Sequence, residues 1–137
     1  MMDKTDYEVW IGKLMGRGMA LTWPKDHAGQ LALLGAAALA LDPSQRYSEK
    51  EVNEALAAWL GIVLPKGGLD HVTVRRYLID FRFLDRESDG SAYWVNRDEL
   101  AQEFEPAVFD LDTSTIIREF KEAEAARRKA WRAKRGE

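Results

Sequence analysis

The stretch DHVTVRRYLIDFRFLDRESDGSAYWV, residues 70–95, changes its apolar period once along its length. In the first part Val74, Tyr77, Leu78 and Phe81 recur at i, i+3, i+4 and i+7, which lines one face of a helix. Asp70 stands where a side-chain oxygen accepts from the free backbone N–H groups of the first turn, and Leu69 and Val74 are spaced as a hydrophobic staple. Beyond Phe83 the period is two. Leu84 and Arg86, then Tyr93 and Val95, flank Ser88-Asp89-Gly90-Ser91, and an Asp-Gly pair between alternating segments predicts a hairpin. A helix therefore runs directly into a two-stranded antiparallel ribbon.

Upstream, Ser48 and Glu51 form an S-x-x-E capping box, with Tyr47 placed to staple onto Val52. Val52, Ala55, Leu56, Trp59 and Leu60 make the inward stripe of that helix, Gly61 is read as its end, and a loop with Pro65, Gly67 and Gly68 follows. Further back, Pro24 suits a first-turn position, and the Ala- and Leu-rich run Leu31 to Leu41 is apolar nearly all round, as a central helix would be. Asp42-Pro43 stops it. From Thr5 to Met15, Tyr7, Trp10, Ile11, Leu14 and Met15 share a helix face that Gly16 and Gly18 are expected to break. Met19, Leu21 and Trp23 alternate like a short strand. Downstream, Asn96 to Phe104 reads as a short helical turn and Pro106 as a break. A final helix starts near Asp112 or Thr113, with Ile116, Ile117, Phe120 and Ala123 on its apolar side.

These elements predict a mainly α (α+β) fold: a winged helix-turn-helix-like three-helix core with a two-stranded β-hairpin wing, plus N- and C-terminal helices. At 137 residues the chain has the length of one domain, 1–137. Within it, 5–23 hold the N-terminal helix and short strand, 24–96 the core, and 97–137 an extension ending in a basic helix. The absence of cysteine excludes disulfides, thiol nucleophiles and cysteine metal sites. No apolar run reaches a membrane span and the N-terminus lacks a signal-peptide layout, so a cytoplasmic protein with no membrane partner is expected.

Tyr47-Ser48-Glu49-Lys50-Glu51-Val52-Asn53, Asp70, Arg75-Arg76, Leu78-Ile79-Asp80, Phe83-Leu84, Arg86, Asp89-Gly90 and Tyr93-Trp94 resemble the spaced motifs of a bacterial domain-of-unknown-function family. The resemblance spans about Arg46–Trp94, with a start as early as Pro24 compatible with it. Members of this family are sometimes fused behind ArsR-like helix-turn-helix regulators. The resemblance implies a winged-helix-like module in transcription regulation, with no established activity. The family pattern has Gly before the Phe where this chain has Arg82. The preceding helix must then end without the residue that enters left-handed backbone freely, at a cost of up to ~1 kcal/mol. The loop between Trp59 and Asp70 is also long for a tight helix-turn-helix.

Charge narrows the partners. Residues 118–137 carry eight basic and four acidic side chains, a net +4, whereas residues 1–117 carry twelve and nineteen, a net −7. A cationic end on an acidic body suits a polyanion or an acidic protein surface. If the third helix enters a major groove, Thr73, Arg75 and Arg76 are its natural contacts, Arg82 and Arg86 flank it, and Arg127, Arg128, Lys129 and Arg132 add phosphate contacts from the last helix. Duplex DNA is the partner on that reading. Arg75 and Arg76 have an alternative use as surface bridges to Glu51, Glu54 or Asp80. Val72 and Ile79 on the outward side of the same helix suggest a cover, by the N-terminal helix, the last helix or another subunit. With Trp131 they are candidates for an interface in a homodimer or with another regulator protein. That defines the rival reading, an interaction or oligomerisation module that binds no nucleic acid. His27 and His71 are far apart and no phosphate-binding, dinucleotide or nucleophile motif occurs, so no metal, cofactor or enzyme activity is expected.

Overall fold

The computed structural model describes residues 1–17, 22–65 and 67–136. Among them the order is α1 (Lys4–Arg17), α2 (His27–Leu39), α3 (Glu49–Val63), α4 (His71–Asp80), β1 (Leu84–Arg86), β2 (Tyr93–Val95), α5 (Arg97–Glu103), α6 (Pro106–Phe109) and α7 (Thr113–Lys134). The fold is mainly helical with one small two-stranded antiparallel sheet.

α2 is the central helix. Every residue from Ala32 to Ala38 is buried, as expected where the sequence is apolar all round. Its Gly35 lets the ring of Phe104 approach the backbone, for a Cβ there would lie 2.4 Å from Phe104 Cζ. Phe104 also packs edge-on to Tyr7 and against Phe83, so the end of α5 ties α1, α2 and the start of the hairpin into one core. Pro24 does not open α2. The helix begins three residues later with Asp26 in the cap position, and Gln30 Nε2 donates to the Pro24 carbonyl at 2.8 Å.

α3 carries the capping box: Glu51 N donates to Ser48 Oγ and Ser48 N to Glu51 Oε1, at 3.1 and 2.9 Å. Gly61 does not end this helix, which runs on to Val63 because the buried Val63 side chain outweighs the ~1 kcal/mol that an interior Gly costs. Gly16 likewise lies inside α1, with Phe120 Cζ 3.8 Å from where its Cβ would be. Gly18, Met19 and Leu21 lie outside the described residues, and with them most of the expected short strand; Trp23 sits in a bend.

The hairpin has the expected register, Leu84↔Val95, Asp85↔Trp94 and Arg86↔Tyr93, with Gly90 left-handed at φ +75° in its turn. A further bridge extends it. Tyr47, in the segment between α2 and α3, exchanges both backbone hydrogen bonds with Tyr93, each 2.8 Å. A parallel bridge of Met2 to Phe104 pins the N-terminus beside α5. α7, capped by Asp112, packs its first turns on α1, where the hydroxyls of Tyr7 and Thr113 share a 2.8 Å hydrogen bond. From Ala125 to Gly136 every residue of the chain is exposed.

Candidate nucleic-acid interface

α4 packs against α2, α3 and β1, while α1 and α7 pack on each other. Among the described residues α4 thus packs mainly on α2, α3 and β1 and not on the terminal helices expected to cover Val72 and Ile79. Ile79 is half-buried because it rests on the protein's own core, and Val72 is half-buried at the first turn. The flank of α4 is covered from elsewhere. Trp23 stacks face to face on Tyr77, with centroids 3.7 Å apart and planes 4° from parallel, and meets Phe81 edge-on.

The first turn is built by Asp70. Thr73 N donates to its Oδ1 at 2.7 Å, and hydrogen bonds from the Thr73 backbone and side chain hold the Asp70 carboxyl below its usual range. Thr73 is thereby half-buried at the helix start. Two residues on, Arg75 turns toward α3. Its Nη1 donates to Asn53 Oδ1 at 2.6 Å and lies 3.2 Å from Glu49 Oε1, while the guanidinium sits 5.8 Å from the Tyr93 ring centroid. Only 15% of the side chain is exposed. Arg75 thus fastens α4 to α3 and the hairpin, and it is not free to act as a phosphate contact. Its partners are Glu49 and Asn53 rather than Glu51, Glu54 or Asp80. Glu49 and Asn53 stand at i, i+4, so their common helix face was a signal available in the sequence.

Arg76, next along, is exposed and makes no ion pair among the described residues. It lines a polar groove of about 410 Å³ with Arg75, Ile79, Asp80, Arg86 and Glu49. Three arginines against two carboxylates leave this groove cationic. Arg86 reaches it from β1, across from the end of α4. Arg82 is exposed at the helix-to-hairpin junction and lies outside the groove; its φ is +63°. The backbone thus adopts the left-handed turn despite the missing glycine. Arg82 N donates to the Ile79 carbonyl and Phe83 N to the Leu78 carbonyl, both 3.0 Å, which closes α4 in a Schellman pattern.

The basic side chains of α7 form a separate group. Arg127 pairs with Glu124, and Arg128, Lys129 and Arg132 are exposed along the helix. Trp131 is 56% exposed, with the Arg135 guanidinium 4.5 Å from its ring centroid. Among the described residues no three of His, Cys, Asp or Glu converge as metal ligands would, and no helix is long and apolar enough to cross a membrane.

A family model described as an uncharacterized protein conserved in bacteria (DUF2087) matches residues 21–95. The chain belongs to this family. The DUF2087 match takes in α2 as well as α3, α4 and the hairpin, so the earlier of the two starts compatible with the resemblance is the right one. Arg75, Arg76, Arg82 and Arg86 lie within the DUF2087 span, whereas α1, α5, α6 and the basic helix α7 lie outside it. No curated protein and no solved structure matches the chain.

Proposed function

We propose that this DUF2087 protein binds duplex DNA through α4 and the β1–β2 hairpin as a non-catalytic winged helix-turn-helix regulator. The order α2, Tyr47 bridge, α3, α4, β1, β2 supports it, being the helix, edge strand, helix, helix and two-stranded wing of that architecture. The observation that carries the reading is Arg76: an exposed cation without an ion pair among the described residues, on the outer face of the third core helix, with Arg86 across the groove. Groove insertion needs that face open, and phosphate contacts from the wing and the basic α7 would fix the register.

The test is titration with random-sequence duplex DNA at about 50 and about 200 mM salt, a range over which phosphate-driven binding weakens steeply. Arg76→Ala and Arg86→Ala are each expected to lower the slope of log affinity against log salt by about one. A different reading, a protein-interaction or homodimer module, is favoured by the exposed Trp131. It takes over if no DNA binds at the lower salt and the protein dimerises with rising concentration.

A further inference from the structure

α7 lies along the end of α3, and between them runs a groove of about 360 Å³. Trp59, Ile62 and Val63 of α3 and Ile117 and Ala125 of α7 make its wall. Trp59, Val63 and Ile117 are buried beneath it, whereas Ile62 stands 71% exposed beside it, an apolar side chain left in water next to an apolar trough. Its polar lining consists of Ser114, Arg118, Lys121 and Glu122. Lys121 Nζ donates to the Ile62 carbonyl at 2.6 Å, one of the carbonyls that the last turn of a helix leaves without an intrahelical partner. An ammonium has three donors, so this contact leaves Lys121 with capacity for an anion. Arg118 and Glu122 approach only to 3.9 Å and are both largely exposed, a weak pairing that an anion can displace.

An apolar trough of this size with a few polar groups at one edge has the make-up of a small-molecule site. We infer that the α3–α7 groove binds a small anionic amphiphile. An apolar chain or ring lies between Trp59 and Ile117 and covers Ile62, and a carboxylate or sulfonate meets Lys121 and Arg118. Charge selects the sign of the head group, because Arg118 and Lys121 outnumber Glu122 in the lining of the groove itself. Charge also argues against a second copy in the groove. Two α7 helices paired antiparallel about Ala125 would set Arg118 against Arg132 and Lys121 against Lys129, two like-charge pairs for each pair of opposite charge, Glu122 with Arg128. The inference does not depend on the DNA reading.

The test uses the full chain with anilinonaphthalene sulfonate as probe, followed by fluorescence and calorimetry. One probe per chain is expected, displaced by decanoate and not by decyltrimethylammonium. Ala125→Phe fills the trough from an exposed helix position; it should leave the melting temperature unchanged and weaken the probe by about tenfold or more, the loss of a well-filled apolar contact. Lys121→Met should weaken decanoate by roughly fivefold to tenfold while sparing a neutral decanol, as loss of a charge-assisted hydrogen bond does. Unchanged probe affinity in Ala125→Phe overturns the inference, as does equal displacement by the cationic amphiphile. Concentration-dependent dimerisation abolished by Ala125→Phe, without probe binding, would overturn it in favour of an interface between copies.

Discussion

At Arg82 the fold imposes a backbone that an L side chain resists, since left-handed φ costs a non-glycine residue up to about 1 kcal/mol relative to glycine. The two hydrogen bonds of the Schellman turn and the buried Phe83 after it hold the residue there. Arg82→Gly should therefore stabilise the protein by about 0.5–1 kcal/mol, the relief being partly offset by the freer unfolded chain; urea unfolding measures it, and a loss of stability would mean that the arginine side chain contributes something else. Tyr7 shows the opposite case, a polar tip kept in the core. Burial pushes its pKa from 10.0 up to about 12, with the Thr113 hydrogen bond pulling back. The folded state then resists ionisation that the unfolded chain undergoes. Stability associated with the neutral phenol is complete below about pH 10 and is lost as the pH rises toward 12, to a total near 3 kcal/mol. Tyr7→Phe should flatten that alkaline decline, at a cost of about 1 kcal/mol at neutral pH for the hydrogen bond.

At the scale of elements, α4 is held by one arginine and exposes the next. Arg75 joins α4 to Glu49 and Asn53 of α3 and faces Tyr93 of β2, so it orients the helix against the hairpin. Arg76 has no such duty. The two substitutions should separate cleanly: Arg75→Ala is expected to cost about 1–2 kcal/mol in unfolding experiments, discounted because Glu49 is partly solvated, whereas Arg76→Ala should leave stability unchanged and weaken DNA binding. Equal stability losses from both would place Arg76 in an ion pair and remove the main support for the DNA reading. The capping box, the hairpin register and the Asp70 cap were legible because each arises within about four residues or across one tight turn. The end of α3 was not, because Gly61 stops a helix only where packing does not carry it on, and Val63 does.

Across the whole molecule the charge is divided, with +4 over residues 118–137 and −7 over the rest. The basic stretch lies on the second half of α7, where Arg128, Lys129 and Arg132 are exposed and Arg128 also lines a groove with Met15, Val63 and Leu64 of the body. A chain truncated after Ala126 should keep its folding free energy within about 0.5 kcal/mol, since only exposed residues are removed. Its DNA affinity should fall and depend less steeply on salt. An unaltered salt slope would confine the contacts to the DUF2087 unit, and a large loss of stability would show that the end of α7 folds back onto a partner.

By itself the sequence determined most of the helices, the capping box of α3 and the Asp70 cap, the hairpin with its turn, the family, and the uneven charge, but Pro106, which reads as a break, opens α6. What it determined follows from periodicity, local hydrogen bonding or composition, which need no knowledge of distant neighbours. Only the tertiary structure decided which basic groups are available. Arg75 and Arg76 are adjacent and chemically alike, and the helical period turns them to different faces without saying which face finds partners. They differ because Asn53, Glu49 and Tyr93 converge on one and leave the other in water. The same holds for Trp23 over Tyr77, the Tyr47–Tyr93 bridge and the α3–α7 groove. Each joins residues tens of positions apart, and the free energy that sets them comes from packing summed over the whole core.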